Sequence, residues 1–286
     1  MTAASDPRDR PIGVFDSGVG GLTVLHELLV SLPSEDFLYL GDSARFPYGH
    51  RTPEDLQEIG LGIVELLVEH QVKLLIVACN SMTAAALPVL RSRMQETTLG
   101  VDVIGVVAPE AAQAVAATRS GRIGLLATEA TVASGAYARA LAAVDPHVDL
   151  VAVPCPELAS LIQEPPGGEL FTPELERQVR ECCAPLVQTG VDTVILGCTH
   201  YPLVRSMLQR ALGRSVTLVT SGQALARQAE HALGSRDLAT QRRGEGRYRF
   251  LATGDARAFT AAGTRFLQMP IGQVEQVAPP LPVETR

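Results

Sequence analysis

Two segments of the chain repeat one pattern: residues 72–80 (VKLLIVACN) and residues 191–199 (VDTVILGCT) each carry a short apolar run that ends in a cysteine. A run of this length rich in Val, Ile and Leu reads as a fully buried strand of a parallel sheet. Its carboxyl end is where open α/β sheets bind ligands. Cys79 and Cys198 therefore fall at strand ends facing a cleft. A second echo lies ahead of each: residues 12–17 (IGVFDS) and 123–128 (IGLLAT) both run from a buried strand into a polar turn, at similar distance from the cysteine that follows. The chain reads as two related α/β halves, each offering one thiol. Facing halves place the thiols on opposite sides of one ligand, as inversion of a carbon stereocentre requires: one group removes a proton and the other returns it from behind.

The rest of the chain alternates strand and helix, which predicts mostly parallel sheets. Helices are expected over residues 22–32, from Thr52-Pro53 to about Gln71, over 111–118 after Pro109, over 172–188 with Thr172 as cap, and over 256–267. Strands are expected over 37–40, 101–107, 148–153, 216–219 and 248–252. The first ten residues and the Pro-rich end from Ala278 read as frayed termini. The glycine cluster Gly18-Val19-Gly20-Gly21 lacks the full dinucleotide spacing and reads as a tight strand-to-helix turn.

Composition narrows the function classes. The 286 residues, 46% of them apolar, provide for two domains of ordinary size. No basic segment precedes an apolar one at the start, and no apolar run reaches a membrane span, so a cytoplasmic protein is expected. Five cysteines without regular spacing suggest free thiols in a reducing compartment, and Cys155, Cys182 and Cys183 read as core. The net charge of -7 disfavours direct nucleic-acid binding through a basic surface. Lys73 is the only lysine, expected in a solvated helix-to-strand turn, and is a poor Schiff-base candidate. No His/Cys/Asp cluster has metal-ligand spacing, so no metal is expected.

Four blocks, residues 13–22 (GVFDSGVGGL), Gly41-Asp42 with Pro47-Tyr48-Gly49, Ala78-Cys79-Asn80, and Gly197-Cys198-Thr199-His200-Tyr201-Pro202, resemble the signature blocks of the glutamate racemase family in order and spacing. The resemblance covers nearly the whole chain. It implies two pseudo-symmetric three-layer α/β domains with mostly parallel sheets and the active site in the cleft between them. The first domain is expected to be discontinuous, residues 1–107 and 217–286, with 108–216 forming the second. The implied activity is cofactor-independent, two-base racemisation of glutamate, supplying D-glutamate for peptidoglycan.

By the same resemblance Cys79 and Cys198 are the two bases, with Asp16 assisting Cys79 and His200 assisting Cys198. Asp16, Ser17, Tyr48, Gly49, Asn80, Ser81, Thr199 and His200 line the amino-acid site. Asp16 reads equally as a helix cap and Asp42 as an Asx-type turn residue. The family's usual threonine after Cys-Asn is Ser81 here, its Asp-Ser-Gly block reads Thr220-Ser221-Gly222, and the glutamate expected to orient the histidine aligns with Gln163, one place before Glu164. The resemblance further implies a homodimer. Racemisation of aspartate or another amino acid is the alternative within the class. From a different class, some relatives are reported to bind DNA gyrase, so a gyrase-binding protein of weak catalysis is the third reading.

Overall fold

The chain's short apolar runs form ten strands in the computed structural model, which describes residues 6–97 and 100–281. They are β1 (Ile12–Asp16), β2 (Phe37–Gly41), β3 (Leu74–Val77), β4 (Asp102–Gly105), β5 (Arg122–Ala127), β6 (Asp149–Pro154), β7 (Thr193–Gly197), β8 (Thr217–Val219), β9 (Tyr248–Ala252) and β10 (Val274–Gln276). Two sheets result, ordered β10-β9-β2-β1-β3-β4 and β6-β5-β7-β8, and every pairing is parallel. The order β2-β1-β3-β4 is repeated as β6-β5-β7-β8, so the duplication seen in the sequence extends to topology. β9 and β10 extend the first sheet alone.

The absence of alternation in the central strands has its reason in packing. Along β1, Ile12 and Val14 join one apolar cluster and Phe15 the other; along β3, Leu74 and Ile76 join the first, Leu75 and Val77 the second. Both faces of the first sheet are covered, so both side-chain sets must be apolar. The larger cluster continues into the second sheet through Ile123, Leu125, Val194 and Leu196. Helix Leu22–Ser31 packs on helix Ser221–Ser235, which in turn packs on helix Val107–Ala117, so helices from three stretches of chain bridge the two sheets. No described helix is long and apolar enough to cross a membrane.

Local signals hold where capping chemistry is explicit. Thr52 and Thr172 accept from the N–H groups of Asp55 and Leu175, with Pro53 and Pro173 opening helices Pro53–Glu69 and Pro173–Thr189. The strand expected over 101–107 ends at Gly105, and the helix expected from 111 begins at Val107. Pro109 sits in that helix's first turn, where its missing N–H leaves no hydrogen bond unmade. β8 pairs with β7, so the chain leaves the second sheet after Val219 rather than at 217.

Two other expectations are corrected. Lys73 is buried, with Nζ 2.5 Å from Glu35 Oε2 and 2.6 Å from the Arg8 carbonyl, so it clamps a neighbouring loop instead of facing solvent. Residues 1–5 and 282–286 of the termini read as frayed lie outside the described residues. The described ends are tied down, through Arg8 to Lys73 and through the Pro280 carbonyl, which accepts from Arg45 Nη1 at 3.2 Å.

Candidate active site

In each sheet the chain winds outward in opposite directions from one pair of neighbouring strands, β1 and β3 in the first, β5 and β7 in the second. The carboxyl ends of such a pair leave a crevice between the diverging loops. The two crevices meet. Ser17 and Cys79 follow β1 and β3, Thr128 and Cys198 follow β5 and β7, and all four line one pocket holding about 370 Å³ of open space.

Tyr48, Gly49, Asn80, Ser81, Thr199 and His200 line the same pocket. Asp16 lies beneath the lining, fully buried, and holds it in place: Oδ2 accepts from Thr199 Oγ1 at 3.1 Å, and Oδ1 accepts from Gly18 N at 3.0 Å and Ser17 Oγ at 3.4 Å. Cys79 sits at the start of helix Asn80–Thr97, its carbonyl accepting from Thr83 N at 2.9 Å. Its thiol therefore lies near the positive end of the helix dipole.

The glycine cluster lets the halves close. A methyl group on Gly20 would lie 2.4 Å from the His200 ring, and one on Gly18 would lie 2.7 Å from Gln163 Oε1. Neither residue has a positive φ, so close approach alone excludes a side chain here.

His200 is held on three sides. Nε2 lies 2.9 Å from Gln163 Oε1, Nδ1 lies 3.6 Å from Cys198 Sγ, and the rings of Phe46 and Phe266 sit 5.4 and 5.3 Å from the imidazole. With the amide oxygen as acceptor, Nε2 carries the proton and Nδ1 is left to accept from the thiol. The histidine's partner is thus Gln163, which is buried; Glu164 is exposed.

Several contributors were not singled out beforehand. Thr128 lines the pocket and bonds Ser81 Oγ at 2.8 Å, with Thr131 completing a hydroxyl cluster. Its signal was the internal echo, which aligns Thr128 with Ser17. Asp42 does more than shape a turn: it accepts from the Tyr48 hydroxyl, from Arg45 Nε at 2.7 Å and from Thr253 Oγ1 at 2.7 Å, fixing Tyr48 over the cleft. Phe46, Pro47, Pro156 and Ala159 supply apolar wall.

Burial dominates the electrostatics. It pushes the Cys79 thiol up to about 12, with the Asp16 charge acting in the same direction, and it raises the Cys198 thiol as well. Burial also raises Asp16 and lowers His200 to about 3. In the ligand-free protein both thiols are therefore protonated and the imidazole is neutral at pH 7.

A fold with two switch-point crevices meeting over paired cysteines defines the class, and comparison with known proteins agrees. Residues 22–229 match the Asp/Glu/Hydantoin racemase family, and the chain belongs to it. It is similar to a glutamate racemase of Beutenbergia cavernae, 44% identical over 91% of this chain and 90% of that one. Among solved structures it resembles a glutamate racemase isoform from Bacillus anthracis, with a TM-score of 0.88, 36% identity, and coverage of 96% of this chain and 99% of that one. The Francisella tularensis glutamate racemase in complex with D-glutamate gives a TM-score of 0.86 at 30% identity, covering 95% and 98%.

The raised thiol makes a testable statement about pH. The folded protein holds Cys79 protonated from the ordinary 9.0 up to about 12, while the unfolded chain ionises near 9.0. Stability from this group is full below 9.0 and is lost as pH rises toward 12. Iodoacetamide labelling of Cys79 in ligand-free protein, followed by peptide mass spectrometry, should still be accelerating above pH 9.0. A rate that has levelled off below that pH would contradict the burial account.

Proposed function

We propose that this protein interconverts L- and D-glutamate by a two-thiol, two-base mechanism, without a cofactor. The observation that carries the reading is the placement of Cys79 and Cys198 at equivalent strand ends of two repeated sheets, lining one pocket. The relatives named as glutamate racemases, and the one solved with D-glutamate, support glutamate as the substrate.

One thiolate takes the α-hydrogen as a proton, leaving a carbanion delocalised into the α-carboxylate, and the opposite thiol returns a proton to the other face. The starting thiolate ends as thiol and the starting thiol as thiolate, so the reverse reaction needs no further proton. Because burial holds both thiols neutral, the bound ammonium group of the substrate supplies charge that favours the thiolate. Backbone N–H groups at the start of helix Asn80–Thr97, with the hydroxyl of Ser81, offer donors to a carboxylate. Asp16 serves the Cys79 side. On the other side His200 Nδ1 accepts from the Cys198 thiol, and Gln163 fixes the tautomer. Cys79 is assigned to the D enantiomer and Cys198 to the L. The product fits supply of D-glutamate for peptidoglycan in the cytoplasm.

Circular dichroism of purified protein with each enantiomer tests the reading. Cys79→Ala and Cys198→Ala should each lower turnover about 100-fold or more, the scale of a lost acid/base group, while unfolding stays cooperative. Either variant retaining near-parental turnover would sink it. Gln163 bears on direction. A carboxylate there would pair with imidazolium where the amide cannot, so Gln163→Glu should raise turnover from L-glutamate several-fold, and Glu164→Gln should change little. The reverse pattern would remove Gln163 from the mechanism.

A further inference from the structure

Glu110 lies fully buried in the first turn of helix Val107–Ala117, outside the pocket lining, yet three other helices send donors to its carboxylate. Ser221 Oγ, at the start of helix Ser221–Ser235, donates to Oε1, and the Tyr137 hydroxyl from helix Ala136–Val144 donates to Oε2. Asn80 Nδ2 lies 3.2 Å from Oε2 and 2.7 Å from the Tyr137 oxygen.

The Asn80 amide nitrogen is thereby engaged behind the pocket, by groups that do not line it. Asn80 itself does line it, and its Oδ1 is buried without a hydrogen-bond partner. Turning the amide over would set Oδ1 against a carboxylate and a hydroxyl oxygen already committed as a donor elsewhere, acceptor against acceptor. An unpaired buried acceptor costs free energy, so it is kept where a ligand can satisfy it.

We propose that Glu110 is a positioning residue: it locks the Asn80 carboxamide with Oδ1 turned into the pocket as an acceptor for the α-ammonium group of the amino-acid substrate. This rests on the reading of the ligand as an amino acid. Burial supports it, raising Glu110 from 4.5 to about 7. The titratable groups facing it are Tyr137, itself pushed up and neutral, and Cys198, whose thiol is raised further by the Glu110 charge. Stability from the protonated carboxyl is full below 4.5 and lost as pH rises through about 7, whereas the ionised form accepts all three donors and holds Asn80 best.

Structure and function therefore pull Glu110 in opposite directions at alkaline pH, and Glu110→Gln separates them. At pH 8 the variant should unfold at the same or a higher temperature than the parent, yet its KM for both enantiomers should rise about tenfold, the scale of a hydrogen bond to a charged group. Its kcat should change much less. The parental KM should fall as pH rises through about 7, and this dependence should vanish in Glu110→Gln. Tyr137→Phe, which removes the second acceptor for Asn80, should raise KM in the same sense. Added to Asn80→Ala, Glu110→Gln should cost nothing more. An unchanged KM, or a loss that tracks thermal stability, would overturn the proposal. Should the parent racemise neither enantiomer, the functional reading fails separately, and side-chain amide NMR still decides the lock: Asn80 Nδ2 resonances that titrate near 7 in the parent and not in Glu110→Gln support it, and non-titrating resonances refute it.

Discussion

Desolvation of the two strand-end thiols is the constraint on which the rest of this structure depends. Cys79 and Cys198 retain only 5% and 7% exposure, so neither ionises readily without help from whatever enters the pocket. A base that is neutral until the substrate arrives is protected from stray alkylation and oxidation, which require thiolate. The same burial makes every polar group around the thiols answerable for its hydrogen bonds. Asp16 bonds Thr199, Asp42 bonds Tyr48, Gln163 bonds His200 and Glu110 bonds Asn80, so each of four pocket residues is held by a buried partner.

Buried contacts also cross between the repeated halves. Asp16 ends β1 and reaches Thr199 after β7, while Ser81 after β3 reaches Thr128 after β5. The site exists only when the two crevices face each other, and the glycines at 18 and 20 permit that approach.

Much of this was legible in the sequence where periodicity or an internal repeat carried it. The apolar runs before Cys79 and Cys198 state their burial outright, whereas Thr128 was missed although the repeat aligns it with Ser17. The limits of sequence reasoning are of one physical kind: partnerships between residues far apart in the chain. Lys73 read as solvated because Glu35, which neutralises it, lies in another loop. Glu110 carries no signal in the sequence, since nothing local shows Tyr137 and Ser221 closing over it. Alignment narrowed the histidine's partner to Gln163 or Glu164, and only the turn of helix Leu158–Gln163 decides which side chain faces inward.

The central claim is that two opposed thiols handle the proton on opposite faces of one carbon. The most direct measurement is racemisation in deuterated water, started from each enantiomer and stopped early, with the α-position of the product read by mass spectrometry. Two opposed bases predict that newly formed product carries deuterium in both directions, because the returning group has exchanged with solvent before the substrate binds. Product that keeps the original hydrogen would mean one group removes and returns the same proton, and the two-thiol account would be wrong.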